Sequence, residues 1–332
     1  MSTLLGGTSA WSAGTEGAAF MNIPVGAGPA AMGSAYTALA SDAYAPTWNP
    51  GGLGFVPSTQ VAAMHLIYLQ SISYEYISAV HPLSNGRGIG FSAQYRTSGS
   101  IPETDINGNS LGSYTATAGA YTFSYGQHIN NRLSLGLSGK YITSTIAGVS
   151  ASAFAADLGS MYRVDDRLTL AAVLANMGPS LTYLNDSDPL PMAMHLGAAY
   201  RLRPKWLLTG ETVFHVHGSF SANGGVEWDP MELFALRMGY RTDQSNELSA
   251  IAGLSMGFGL HFMGHEFAYA WVPFGDLGST HYFSIVLRFG GRSGTMFSDG
   301  HPQLTKATPD RDSDEEINSL NQLLKEKDEG TR

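Results

Sequence analysis

Ten histidines and no cysteine bound the chemistry open to this 332-residue chain. Without cysteine there is no disulfide, no thiolate nucleophile and no Cys-based zinc or iron–sulfur site. His215 and His217, one residue apart on a strand, would point both rings to one side, and Glu211 lies on that same face. Imidazoles so placed suit Zn, Cu or Ni; the same spacing also describes two histidines at the rim of a lumen or loop. His261, His265 and Glu266 do not match a zincin, which needs His-Glu-x-x-His on a helix. On a strand, Glu266 faces away from His265. Gly86-Arg87-Gly88-Ile89-Gly90 opens a strand and lacks the helix that would receive a phosphate. No Gly-x-Ser-x-Gly elbow occurs. The sequence thus assigns no catalytic residue, no metal site and no cofactor, and a non-enzymatic protein is expected.

The elements that carry these residues are strands. In Arg132–Tyr141, Leu133, Leu135, Leu137 and Tyr141 share one face, opposite Arg132, Ser134, Ser138 and Lys140. Arg167–Leu174 and His281–Phe289 repeat the alternation, which is the period of a strand with one apolar face. About fourteen such segments run between residues 59 and 290, most near the 9–11 residues that a tilted strand needs to cross a bilayer. They include 132–143, 151–163, 166–176, 221–228 and 247–257.

The connections alternate. Long ones are expected at 97–114, 144–150, 177–190, 241–246 and 273–278. Tight ones are expected at Asn130-Asn131, Asp165-Asp166, Arg203-Pro204-Lys205 and Asp229-Pro230-Met231, with a tight exception near Leu69-Gln70. Short turns on one side and long loops on the other are the pattern of outer-membrane barrels. Tyr68, Tyr95, Tyr141, Tyr240 and Trp271 fall near one end of the apolar face, and Tyr125, Tyr162, Tyr200 and Trp228 near the other. These are two aromatic girdles at the two interfaces.

Composition agrees. Charged residues make up 14% of the chain, against roughly 25% in soluble domains, so a sandwich of this size would show too little charge outside. The net charge of −9 argues against nucleic acid. The fold class expected is all-β, a transmembrane antiparallel β-barrel of about 14 strands. Its polar face would line the lumen with Glu75, Arg96, Lys140, Asp157, Arg167, His195, Arg201, Glu211, Glu227 and Arg237, together with His65, Gln94 and His215. Both signs mix, so no single-sign ring selects ions. Many inward positions are Gly or Ala instead, which leaves room inside.

Residues 14–57 can fill that room as an N-terminal hatch. Pro29–Asp42 reads as a short helix of small residues with Pro at its start, followed by the turn-forming Trp48-Asn49-Pro50-Gly51-Gly52-Leu53-Gly54. In sequence the stretch resembles the N-terminal signature of the PorV/PorQ family of outer-membrane proteins, which is similar to the FadL long-chain fatty-acid transporters. The matching residues are Gly14-Thr15-Glu16-Gly17-Ala18, Met32-Gly33, Ala40-Ser41-Asp42-Ala43 and Trp48-Asn49-Pro50-Gly51-Gly52-Leu53; family members usually have Ala where Gly51 stands. The resemblance runs to about Gly291. It implies, first, a structural or shuttle component of type IX protein export to the cell surface, with secretion subunits or exported cargo as partners. The alternative it implies is a FadL-type transporter of hydrophobic small molecules, with an N-terminal hatch and a lateral opening.

Four regions are therefore expected. Residues 1–13 resemble the remnant of a signal peptide, 14–57 form the hatch, 58–291 the barrel, and 292–332 an acidic tail. Within the tail, Ile317, Leu320, Leu323 and Leu324 line one side of a short amphipathic helix that could dock on a partner. The barrel would sit in the outer membrane among its lipids, with both termini periplasmic.

Overall fold

The computed structural model describes residues 16–216, 220–247 and 250–290. The strands are β1 (Thr59–Ile67), β2 (Ser73–Leu83), β3 (Arg87–Thr97), β4 (Ile101–Thr104), β5 (Ser110–Tyr114), β6 (Ala116–His128), β7 (Leu133–Ile146), β8 (Val149–Arg163), β9 (Leu168–Met177), β10 (Leu181–Tyr183), β11 (Asp186–Asp188), β12 (Ala193–Arg203), β13 (Trp206–His215), β14 (Phe220–Met231), β15 (Phe234–Arg241), β16 (Leu254–Phe262), β17 (His265–Pro273) and β18 (Ser279–Phe289). β4–β5 and β10–β11 are small separate hairpins within two of the long connections. The other fourteen strands pair antiparallel in chain order and close on themselves. β1 meets β18 from Thr59 opposite Phe289 to Ile67 opposite His281. Closure leaves no strand edge, which is the condition for a sheet to stand in hydrocarbon.

Alternate residues on each strand are exposed or buried. Phe91, Phe123, Leu135, Leu137, Leu158, Leu170 and Leu174 are exposed, whereas Ser124, Ser138, Ala153, Ala155, Ala171 and Val173 are buried. An apolar outside over a small or polar inside inverts the rule for water-soluble proteins and fits a lipid surround. Tyr125, Tyr162, Tyr200, Trp206 and Trp228 are exposed toward the short turns, and Tyr95, Tyr141 and Tyr240 toward the long ones. Tyr68 does not join them. It packs edge-on against Phe274 at 5.5 Å and touches the interior cluster.

Local chemistry sets the turns. Asn130 Oδ1 accepts from the Arg132 and Leu133 amides at 2.8 Å, and Asp165 Oδ1 does the same for Arg167 and Leu168. Each closes a tight connection by mimicking a backbone turn. Pro204-Lys205 is equally tight. At the end of β14 the expected Asp229-Pro230-Met231 turn falls inside the strand, where the register shifts, and the turn is made by Glu232-Leu233.

The connection expected at 144–150 is not a long loop. β7 and β8 continue to Ile146 and Val149 and meet through Ala147-Gly148, both at positive φ. That is the twist a two-residue hairpin requires, and Gly148 supplies it without strain. Beyond β15 the chain forms a helix, α3 (Thr242–Glu247), so β16 starts at Leu254 and not at 247.

Depth in the bilayer should show in refolding energetics. Leu137, mid-strand and 53% exposed, faces outward. Leu137→Arg should cost about 2–4 kcal/mol in a lipid refolding assay, and Leu202→Arg, one residue from a strand end, about 0–1 kcal/mol. Equal costs would mean that this face does not meet lipid.

Candidate binding cavity inside the barrel

Residues 16–57 contribute α1 (Ala27–Ala31), α2 (Ala45–Trp48) and a 3-10 turn at Pro50–Phe55. The helix expected at 29–42 is shorter and begins earlier, because Gly33 and Ser34 both take positive φ and break it. α1 packs on β15, β16, β17 and β18; α2 and the Pro50 turn pack on β2, β3, β6, β7 and β8. The Thr37 amide donates to Glu211 of β13 at 2.9 Å. A segment touching the same face of strands all round a closed ring lies within it.

Asn49 is 0% exposed. Its Nδ2 donates to the Thr37 carbonyl and to the Ser160 carbonyl of β8, both at 3.0 Å, and its Oδ1 accepts from the Gly51 amide at 2.9 Å. The wall opposite is glycine. An added methyl at Gly88, Gly126, Gly136 or Gly159, on four neighbouring strands, would overlap Leu53, Pro50 or Asn49. Gly52 likewise abuts the Ala40 carbonyl. Leu53 is buried against Ala45, Val56 and Val80. Met32 is 1% exposed, and Gly33 donates its amide to Ser255 Oγ at 3.1 Å. Asp42 accepts from the Tyr36 hydroxyl at 2.6 Å and from the Tyr44 amide at 3.0 Å. Burial pushes the Asp42 carboxyl up to about 6, against the lowering effect of those hydrogen bonds.

On the long-loop side of this segment lies a cavity of about 350 Å³. Met21, Ile23, Val25 and Trp48 form its apolar base, with Ala120, Ala175, Ala193 and Val213 from the barrel. Trp48 is fixed by its indole N–H on the Val25 carbonyl at 3.0 Å. Two polar walls face this base.

The first wall holds Gln94, Thr122, Lys140 and Asn176. Lys140 Nζ lies 2.7 Å from Asp157 and donates to Asn176 Oδ1 at 2.6 Å. Asn176 stands at positive φ where the β8–β9 register shifts, a bulge that turns its side chain inward. The second wall holds His195, Glu211, Ser221, Asn223 and Arg241. His195 Nδ1 is 2.8 Å from Glu211 Oε1. Arg241 pairs with Asp243 of α3 at 2.6 Å and donates to Ser34 Oγ at 3.1 Å.

Toward the short turns the lumen carries a second set of charges. Arg237 meets Glu227 at 2.6 Å and Glu266 at 2.8 Å, and Arg288 meets Glu266 at 3.2 Å. Gly28 of α1 lies directly against the Arg237 guanidinium.

The structure places Lys140, Asp157, His195, Glu211, Glu227 and Arg237 on the inward face, all but His195 buried. Arg96 and Arg201 share that parity and are partly exposed. Three expected lumen residues, His65, Glu75 and Arg167, are elsewhere. Glu75 faces outward, paired at 2.7 Å with His65, both side chains 49% exposed. The β1–β2 register puts them directly opposite each other on the outer face, while Tyr74, Tyr76, Met64 and Leu66 take the inner one. Arg167 is exposed in the Asp165 turn, whose side-chain hydrogen bond to the Arg167 amide holds it outside the strand.

Arg241, Asp243, Asn176, Thr122 and Asn223 line the cavity without having been singled out by sequence. Their inward parity was available for the strand residues, but the Asn176 bulge and the α3 helix were not. His217 and the candidate helix Ile317, Leu320, Leu323 and Leu324 lie outside the described residues, as do residues 1–15 and the tail. Among the described residues no cluster of three or more metal-ligating side chains occurs.

No family model and no curated protein matches the sequence. Among solved structures, the toluene transporter TodX of Pseudomonas putida aligns over 79% of this chain and 96% of its own, at 13% identity and a TM-score of 0.56. The CymD monoaromatic hydrocarbon channel aligns over 80% and 96%, at 12% identity and 0.54. A FadL homologue of Pseudomonas aeruginosa aligns over 78% and 97%, at 11% identity and 0.49. The fold, a closed antiparallel barrel of fourteen strands, is therefore similar to that of the toluene transporter and of the monoaromatic hydrocarbon channel. A PorV/PorQ assignment finds no counterpart among these neighbours.

Two substitutions probe the inner segment. Asn49→Leu strands two carbonyls and one amide, so it should cost about 2–5 kcal/mol and speed protease cleavage within 16–57 while heat-modifiable migration of the barrel persists. Unchanged cleavage would show that Asn49 does not anchor the segment. Asp42 has a folded-state value raised from 3.8 to about 6, so the folded chain holds a proton that the unfolded chain releases. Its contribution is fully present below about pH 4 and is lost as pH rises through about 6. The urea midpoint of the parent should fall across that window relative to that of Asp42→Asn; parallel profiles would remove Asp42 as the cause.

Proposed function

We propose that this protein is an outer-membrane channel for small hydrophobic molecules, with residues 14–57 acting as a plug in the lumen. The carrying observation is the cavity of about 350 Å³ held between that segment and the barrel wall, a size typical of small-ligand sites. Its base of Met21, Ile23, Val25 and Trp48 is apolar and belongs to the segment itself. A solute in the cavity therefore touches the very residues that would have to move for it to pass. Support comes also from the fold, which is similar to a toluene transporter and a monoaromatic hydrocarbon channel. In this reading the long loops face the outside and the short turns the periplasm, which puts the cavity on the outer side of the plug. The export-shuttle reading suggested by the N-terminal motif has no such observation behind it.

The test fills the cavity. Ala193 is 3% exposed, faces inward and lines the space. Cells expressing the parent protein should take up the apolar dye N-phenyl-1-naphthylamine faster than cells with an empty vector, and Ala193→Phe should return uptake to that background. Heat-modifiable migration confirms that the variant barrel is folded. Uptake equal to the parent's in a folded Ala193→Phe barrel would place the route elsewhere. Loss of surface-exported protein on gene deletion, with dye uptake unchanged, would favour the shuttle.

A further inference from the structure

The proposed channel function leaves open which hydrophobic molecules the cavity accepts, and its lining is not that of a hydrocarbon site. Two side chains on opposite walls have polar atoms without a partner. Thr122 is 1% exposed and its Oγ1 is unbonded; Asn223 is 9% exposed and its Oδ1 is unbonded. Both line the cavity. Thr122 stands directly opposite Lys140 on the neighbouring strand, and Asn223 directly opposite Glu211. A buried acceptor left unpaired is costly, and a molecule that supplies the missing donor recovers that cost.

The Lys and Arg cations of the lining are already matched, while Glu16, among the described residues, accepts only from Asn22 Nδ2 at 3.3 Å. Lys140 is held by Asp157 at 2.7 Å and Arg241 by Asp243 at 2.6 Å. Glu211, a further carboxylate at the site, accepts from the Thr37 amide at 2.9 Å and sits 2.8 Å from His195. An entering carboxylate would find each cation engaged and would lose its own hydration without replacement. A bare hydrocarbon would fill the apolar base yet leave Thr122 and Asn223 unsatisfied and cut off from water.

Resting on the channel reading, we infer that the cavity selects uncharged amphipathic molecules that carry a hydrogen-bond donor, such as a phenol or an alcohol, over hydrocarbons and over carboxylates. The apolar body lies on Trp48, Ile23 and Val25. The hydroxyl donates to Asn223 Oδ1 or to Thr122 Oγ1, and the Thr122 hydroxyl can also donate in return.

Four probes of one shape test this on the purified full-length protein: p-cresol, toluene, 4-methylbenzoate and 4-methylbenzylamine, the last being a cation at neutral pH. Binding is read by calorimetry or by quenching of tryptophan fluorescence. p-Cresol should bind about tenfold or more tighter than each of the other three, as expected for one buried hydrogen bond. Thr122→Val and Asn223→Leu, nearly the same size, should together erase the preference for p-cresol over toluene without weakening toluene binding. Their folding is checked by heat-modifiable migration. Toluene bound as tightly as p-cresol, or a preference that survives both substitutions, overturns the inference and leaves the channel reading standing; in that case ordered water alone satisfies Thr122 and Asn223. Tightest binding of the anion or the cation overturns it too. No binding of any probe overturns the inference and the channel reading together.

Discussion

The interior of this barrel depends on the Asn49 side chain. Its amide is wholly buried and makes three hydrogen bonds, two of them to carbonyls on different parts of the chain. One carbonyl belongs to the inner segment and the other to β8, so a single planar group fixes the segment to the wall. Aspartate could not replace it, because it has no N–H to give either carbonyl. The bonds form only if the backbones come close. Gly88, Gly126, Gly136 and Gly159 allow that approach from the wall, and Gly52 allows it within the segment. Five positions without side chains and one amide thus convert a hollow ring into a filled one. Ser284, which accepts the Ala27 amide at 3.2 Å, and Ser255, which bonds both Gly33 and Ala31 at 3.1 Å, repeat the device on the far side.

The two halves of the lumen treat charge differently. Near the short turns, Arg237 is bound by two carboxylates and Glu266 by two guanidinium groups, all of them little exposed. Removing one member of such a set leaves a buried charge uncompensated, so the set holds its geometry stiffly. It lies against α1 through Gly28 and closes the space beneath it. Near the long loops Lys140 and Arg241 each meet one carboxylate, and polar atoms of Thr122 and Asn223 remain over. The stiff half supports the segment; the half with spare hydrogen-bonding capacity faces the cavity.

Much of the fold was legible because a strand's period of two shows in any alternating sequence. Leu133, Leu135, Leu137 and Tyr141 declare a lipid face directly, and Asn130 and Asp165 mark tight turns by side-chain chemistry that any reader of sequence can apply. Ala147-Gly148 is a two-residue hairpin lacking the usual Asn or Asp at its first position, so its signal was lost among small residues. Glu75 alternates with Tyr74 and Tyr76, and polarity alone put it inside. The structure turns the tyrosines inward, where Tyr76 stacks on Tyr44 at 5.9 Å, and leaves Glu75 to meet His65 on the outer face. The Asn176 bulge shifts the register by an amount that periodicity cannot register, since periodicity assumes no extra residue. At Glu75 a tertiary contact overrode the local pattern; at Ala147-Gly148 and Asn176 the local pattern itself carried no signal.

A likeness of 13% identity to TodX carries the fold and nothing finer. Under the channel function proposed above, selectivity must be written in positions that the fold does not already claim. The outward face is apolar and exposed, and the inward glycines of β3, β6, β7 and β8 are committed to the Asn49–Gly54 turn. The Arg237 cluster is committed to the floor below α1. The uncommitted inward positions are those around the cavity, on β6, β9, β12, β13 and β14, together with the segment residues Met21, Ile23 and Val25. Glu211 is an exception among them, since it also holds the segment through the Thr37 amide at 2.9 Å. On that proposed function, one frame could serve different cargoes through a few residues on two facing walls. In this chain those walls hold Thr122 and Lys140 on one side and Glu211 and Asn223 on the other.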